Sequence, residues 1–318
     1  MRDLPAYDQL PVASGQPPHS AWGLWGAHDS RGTVNVLGPG DVLRATAEVR
    51  EGTVFSLNWD LELPSPPFFG RRALEHHIEP LNPNAFDDYY NRFYPQASSQ
   101  WDALSHVQHP EHGYYNGRTG AEFTGQPGSP NGIDAWSGGI VSRGVLLDMP
   151  EYFASTGRSY RPDEKVDIEP DDLAAAAARQ GTTISDGDIL LIRTGWLGWY
   201  MSASTDLRIA LADDAAGALR IAGLSGSPDL PRFLWDKGVV AVATDNPTFE
   251  SWPRPMKVGD YQHFDLLALL GMPIGELFVL DSLAQHCAAD SRYSFMFTSA
   301  PLNKVGGIGS PPNALAIK

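Results

Sequence analysis

Backbone punctuation constrains this chain more than any other feature: 32 of its 318 residues are glycine and 26 are proline. Glycine tolerates left-handed angles and proline interrupts hydrogen-bond ladders, so the chain has to fold with many turns and long irregular loops. In compact domains such loops usually carry function. The rest of the composition is globular, with 42% hydrophobic and 19% charged residues. The 38 acidic residues outnumber the 23 basic ones, for a formal charge of -15. That sign argues against nucleic acid, whose phosphates need a basic surface, and against docking on an anionic membrane. A single cysteine, Cys287, excludes an intrachain disulfide and thiol-based zinc sites. The opening MRDLPAYDQLP has no apolar core of signal-peptide length, and the runs GDILLIRTGW and FDLLALLGM fall short of the roughly 20 residues that span a bilayer. The expectation is a soluble, cytoplasmic protein.

Residues 1–30 lack periodicity and read as an extended arm over the body. The run GPGDVLRATAEVREG predicts a helix closed by Gly52, and VFSLNWDLEL alternates like a strand. Residues 64–99 read as a loop-rich excursion with many aromatics, either packed surface or the wall of a site. Beyond it the pattern is more regular. VSRGVLLDM reads as a strand, and EPDDLAAAAARQG as a helix with acidic residues in its first turn and Gly181 at its end. Residues 189–194 and 239–245 read as strands; 229–237, HFDLLALLGM and SLAQHCA read as helices. PIGELFVLD reads as a short strand or loop, YSFMFTSAPL as a strand, and VGGIGSPPNA as a Gly-rich loop. Alternation of strands and helices predicts an α/β fold with a mixed sheet, and a length of 318 residues allows one large domain or two fused ones.

Several chemistries have no signature. There is no phosphate-binding loop, Gly306-Gly307-Ile308-Gly309 has no long helix after it, and Gly223-Leu224-Ser225-Gly226 has the wrong spacing for a nucleophile elbow. Histidine is more informative: His76-His77 form one group and His106, His109 and His112 another. Grouped imidazoles are commonly solvated loop residues, which is the reading for His76, His77, His109 and His112. His106 differs because Gln96, Gln100, Trp101 and Asp102 lie just upstream. On a strand, Gln100 and Asp102 share a face, and a turn after Asp102 can bring His106 back toward it. An imidazole beside a carboxylate can serve a metal-bound or base-activated water.

The segment Gln96…Gln100-Trp101-Asp102…Leu104…His106 resembles the metal-binding pattern His-x3-His-x-Asp-x-Pro-x-His of the cyclase family, which includes kynurenine formamidases and isatin hydrolases. The resemblance runs through WGAHDSRGTVNVLGP, GIVSRGVLLDM, GDILLIRTGW, VATDNPTFE, YQHFDLLALLGMPIGEL and the closing TSAPLNKVGGIGSPPNALAI. It implies a single α/β domain over residues 1–318, with a mixed sheet flanked by helices, and a homodimer or homotetramer. It also implies a hydrolase that cleaves a small cyclic or aryl amide, lactone or related acyl substrate. Asp102 and His106 take the catalytic positions; Gln100, Asp102, His263 and Glu276 take the metal positions; Trp101 and Gln96 would contact substrate. Both upstream histidines of the pattern are glutamines here, and its proline is Leu104. Glutamine offers a harder, weaker ligand than imidazole, so the resemblance implies Mn²⁺ ahead of Zn²⁺ or Mg²⁺, with a metal-free site as the alternative. The other functional readings are a metal-independent cyclase or lyase acting on a polyketide-like substrate, and a non-catalytic ligand-binding relative. Glu250 reads as a loop carboxylate or a replacement ligand, Asp148 as a strand-end residue, Cys287 as buried, and the tryptophans other than Trp101, Trp252 among them, as packing residues.

Overall fold

In the computed structural model, which describes residues 4–213, 217 and 219–318, short elements separated by long connections build an α/β fold. In chain order the strands are β1 (Val54–Ser56), β2 (Glu75–Asn82), β3 (Ala85–Asn91), β4 (Gln100–Asp102), β5 (Ile140–Asp148), β6 (Asp167–Ile168), β7 (Ile189–Arg193), β8 (Gly223–Leu224), β9 (Ala241–Thr244), β10 (Ile274–Glu276), β11 (Ser294–Ser299), β12 (Gly309–Ser310) and β13 (Ala314–Ile317). The α-helices are α1 (Pro39–Thr46), α2 (Met149–Thr156), α3 (Pro170–Arg179), α4 (Trp196–Ser202), α5 (Thr205–Asp213), α6 (Asp229–Asp236) and α7 (Asp281–Asp290). Nine strands form one mixed sheet in the order β1-β13-β11-β5-β7-β9-β10-β4-β12. Its parallel centre, β5-β7-β9-β10, comes from the most apolar runs in the chain. Val145 to Leu147, Ile189 to Ile192 and Ala241 to Ala243 are all buried, as expected for parallel strands covered on both faces. Helix α1 packs on β5 and β11, while α2 and α3 pack against each other and against β7 and β5. No helix among the described residues is long and apolar enough to cross a membrane.

Four expectations need correction. The first helix stops at Thr46, whose hydroxyl bonds the Leu43 carbonyl at 2.8 Å, so Gly52 does not close it. The strand after it covers only Val54–Ser56; the rest of that run turns away to hold the chain before β4, with Trp59 N–H donating to Ser99 Oγ at 2.7 Å and Ser98 Oγ donating to the Asp60 carbonyl at 2.8 Å. The excursion at 64–99 contains an antiparallel hairpin, β2-β3. Almost all of its residues are exposed, so no core-facing period marks it in the sequence. Finally, the Gly-rich segment near the C-terminus supplies β12, which pairs with β4.

Those pairings position the site. Strand β4 lies between β10 and β12, with Gln100 opposite Glu276, Trp101 opposite Gly275, and Asp102 opposite Ile274 on one side and Gly309 on the other. Side chains alternate along a strand, so Gln100 and Asp102 face one way and Trp101 the other. Behind β10 a π-helical segment, Phe264–Leu270, ends at Gly271. It is clamped by the N-terminal part of the chain: Trp22 Nε1 donates to the Ala268 carbonyl at 2.7 Å, and Thr33 N–H donates to the Gly271 carbonyl at 2.9 Å.

Gly275 is a tight point of this arrangement. A Cβ there would sit 2.7 Å from both the Ala243 methyl and the Phe278 ring, and 2.9 Å from the Trp101 indole. Overpacking of this kind typically costs about 1–3 kcal/mol. Gly275→Ala is therefore expected to lower the unfolding free energy by that order, read as a lower urea midpoint at an unchanged denaturant slope. An unchanged midpoint would show that the Trp101–Gly275 contact yields freely.

Candidate active site

Five residues from four chain segments meet at the β4-β10 end of the sheet. Gln100 and Asp102 come from β4 and Glu276 from β10; His106 comes from the turn after β4, closed by its N–H to the Ala103 carbonyl at 2.9 Å. His263 sits immediately before the π-helical segment. Its Nε2 lies 3.5 Å from Glu276 Oε1 and 3.7 Å from Asp102 Oδ2, while His106 Nε2 lies 3.7 Å from Asp102 Oδ1. Gln100 donates its amide hydrogen to Glu276 Oε2. Asp102, His263 and Glu276 are buried, whereas the His106 side chain is 26% exposed and faces a cavity.

The donor set fits a divalent cation. One atom each from Asp102, His263 and Glu276 falls within 4.8 Å of the others. Among the described residues Gln100 Oε1 and both Asp102 oxygens are buried with no hydrogen-bond partner. Leaving such acceptors unsatisfied is costly, and a cation among them would remove that cost. The atoms available are mainly carboxylate and amide oxygens with one imidazole, a set suited to harder ions.

Glu250 completes the site in a role that neither sequence reading anticipated. One of its oxygens accepts from both the His263 backbone N–H, at 3.1 Å, and His263 Nδ1, at 2.9 Å. This fixes the imidazole with Nε2 aimed at Asp102 and Glu276. Tyr261 stacks on the same ring at 4.7 Å, tilted by only 9°. Burial disfavours charge on His263, but Glu250, Tyr261 and Asp102 together raise its proton affinity well above that of a free imidazole. Burial, reinforced by the Asp102 charge, raises Glu276. Asp102 is held below its ordinary value although burial opposes it, because His106, His263 and Arg71 supply positive charge. His106 is lowered, chiefly by burial, and so favours the neutral form that can accept a proton.

The cavity in front of these groups has a volume of about 160 Å³. Its floor is His106, His263 and Glu276, and its walls include Phe69, Arg71 and Trp252. Larger clefts of about 510 and 440 Å³ exist elsewhere, lined by none of the converging residues. Trp101 is not a wall. It is fully buried on the opposite face of β4, against Phe278 at 5.0 Å, with Nε1 bonded to Ser299. The strand alternation that brings Gln100 and Asp102 into the site sends Trp101 into the core. Gln96 does not line the cavity either; its amide packs on Gly309, opposite Asp102. Conversely Trp252, expected to be a packing residue, borders the cavity. His76 and His77 are on the exposed hairpin, stacked on Tyr90 and Tyr89. His109, expected to be an exposed loop imidazole, is buried and stacked on His112 at 4.5 Å. Asp148 caps α2 and pairs with Arg193, and Cys287 is buried in α7.

Carboxylates that orient a ligating histidine typically matter about 10–100-fold in metal affinity. Glu250→Gln should accordingly weaken binding of a divalent cation by that factor in a titration of chelator-treated protein, with the circular dichroism spectrum retained. Equal affinity in the variant would exclude Glu250 from the site.

A structure described as a novel cyclase superposes with a TM-score of 0.83 at 31% identity, covering 94% of this chain and 99% of that one. Isatin hydrolase A from Labrenzia aggregata, bound to benzyl benzoate, is similar in fold, with a TM-score of 0.57 at 18% identity over 86% of this chain and 94% of that one. An isatin hydrolase bound to the product analogue thioisatinate has a TM-score of 0.58 at 16% identity, over 88% and 98% of the two chains. No curated protein matches the sequence. The family described as "Putative cyclase" matches residues 41–251. With that match over most of the chain and a 31% identical structure along nearly all of it, the protein belongs to the cyclase family.

Proposed function

We propose that this protein is a hydrolase that opens or cleaves a small cyclic or aryl amide, lactone or related acyl compound. The observation that carries the proposal is the convergence of unsatisfied buried oxygens on Gln100 and Asp102 with His263, Glu276 and an accessible, neutral-leaning His106 at one small cavity. Family membership and the hydrolase relatives support it. Gln100, Asp102, His263 and Glu276 would hold a divalent cation, with Mn²⁺ preferred for its affinity for oxygen-rich sites. Such an ion would supply Lewis-acid chemistry, polarising a substrate carbonyl and easing the loss of a proton from water.

The protein's own groups do the rest. His106, at the cavity edge, accepts the proton that water loses as its oxygen attacks the carbonyl carbon. It returns that proton to the departing nitrogen or oxygen as the carbon–heteroatom bond breaks. Each cycle thus consumes one water and releases an acid and an amine or alcohol, or one ring-opened product carrying both. Glu250 holds His263 in place. Phe69 and Trp252 give the cavity apolar faces suited to a planar acyl group, and its size limits the substrate to a small one. An organisation as homodimer or homotetramer belongs to the same proposal, as does a soluble cytoplasmic setting.

Two outcomes test the reading on a panel of anilides, aryl esters and lactones. His106→Ala should cut kcat/KM by roughly 10²–10⁴. Its melting temperature should stay near that of the wild type, since the side chain is partly exposed and makes no hydrogen bond among the described residues. Full activity in a stable His106→Ala protein would remove His106 from the reaction. In the second, Mn²⁺ at about 100 times its dissociation constant should stabilise the wild type by about 2.7 kcal/mol and leave Asp102→Asn unaffected, as read by thermal melts. Turnover that persists undiminished after chelation, with no melting shift on Mn²⁺ addition, would transfer the chemistry to a metal-free His106–Asp102 pair.

A further inference from the structure

Arg71 is the one lysine or arginine among the described residues that line the cavity, and the proposed reaction leaves it without a task. It is half-buried. Among the described residues its guanidinium forms no hydrogen bond and no ion pair, although Asp102 and Glu276 both feel its charge. Its guanidinium carbon lies 5.4 Å from the centroid of the Phe69 ring. A guanidinium close to two carboxylates but bonded to neither keeps its planar fork of donors free for a third anion.

The loop that presents Arg71 is anchored. Arg71 N–H donates to the Phe68 carbonyl at 3.3 Å, and Phe68 is buried between Trp196 and Tyr200, each 5.8 Å away. Tyr200 in turn bonds the backbone of Ser65 through its hydroxyl. The backbone that carries Arg71 is therefore tied to an aromatic cluster, and its guanidinium lies over Phe69 among the residues lining the cavity. Geometry of this kind lowers the entropic cost of binding an oriented ligand.

We infer that Arg71 is a specificity residue that selects small planar substrates carrying a carboxylate, gripping that group while the scissile carbonyl faces His106. The inference rests on the proposed hydrolase reading and names its substrate class. Electrostatics makes the need plain. The chain carries a formal charge of -15 and the cavity is backed by Asp102, Glu250 and Glu276, so an anion without a dedicated cation would be repelled. A neutral substrate would gain little from an unpaired arginine at that position. A bidentate carboxylate grip also fixes the plane of an aromatic acid against the Phe69 and Trp252 faces.

The test uses two probes of the same shape, benzoate and benzamide, titrated calorimetrically into the full-length protein, with Arg71→Met, Arg71→Lys and the exposed neighbour Arg72→Met. Hydrogen bonds to a charged partner are typically worth a factor of about 10–100. Benzoate is expected to bind the wild type tighter than benzamide by that factor. Arg71→Met should erase the preference without altering benzamide binding, Arg71→Lys should restore part of it, and Arg72→Met should leave it intact. Equal affinity for the two probes in the wild type would overturn the inference. So would a benzoate preference that survives in Arg71→Met, which would place the carboxylate on a cation held by Asp102 and Glu276. Hydrolysis of anilides and esters, both neutral and carboxylate-bearing, is measured alongside. Turnover without benzoate selectivity sinks the role of Arg71 alone, and selectivity without any turnover sinks the hydrolase reading alone.

Discussion

The three-strand ladder β10-β4-β12 is the constraint on which the rest of the site depends. It places Gln100 opposite Glu276 although 176 residues separate them, and it fills the space at Gly275 with the Trp101 indole. Because side chains alternate, one strand of three residues supplies two site groups on one face and a core anchor on the other. A one-residue slip would bury the carboxylate among Phe278 and Phe297 and turn the indole toward the polar cluster, so register and site are specified together. The serine hydroxyls before β4, bonded to Asp60 and Leu277 carbonyls, fix where that strand starts.

Concentrating Asp102, Glu250 and Glu276 in a buried volume is unfavourable unless each charge is matched. Glu250 is matched by His263 through two hydrogen bonds. Glu276 receives the Gln100 amide and responds to burial by favouring protonation. Asp102 remains ionised with both oxygens unbonded, held by the nearby imidazoles and Arg71. A buried carboxylate without bonded partners, on a strand paired on both sides where apolar packing would be more stable, marks a candidate functional position.

Packing fixes the rest of the frame at a distance. The N-terminal segment holds the π-helical turn through Trp22 and Thr33, and that turn sets the position of His263. Phe68, Trp196 and Tyr200 form a second apolar cluster that supports the cavity wall from the other side. Both supports come from stretches rich in tryptophan, proline and glycine with no periodic pattern. Their order derives from tertiary contacts, and local propensity alone would leave them loose.

What the amino-acid order determined by itself was the α/β class, the central strands β5, β7 and β9, the helices α3, α6 and α7, and the candidate set Gln100, Asp102, His106, His263 and Glu276. Long apolar runs and charged helix ends report these because burial and capping act locally in sequence, and the resemblance of short motifs to one family supplied the candidate set. Only the tertiary structure decided the facing of Trp101, the placement of Gln96 against Gly309, the burial of His109, the bond from Glu250 to His263, and the position of Arg71 and Trp252 at the cavity. The hairpin β2-β3 and strand β12 were equally hidden. The hairpin is hidden because its exposed residues carry no core-facing period. Which side of a strand faces a cavity, and which loop closes over it, depends on partners more than a hundred residues away, and no local period in the chain records them.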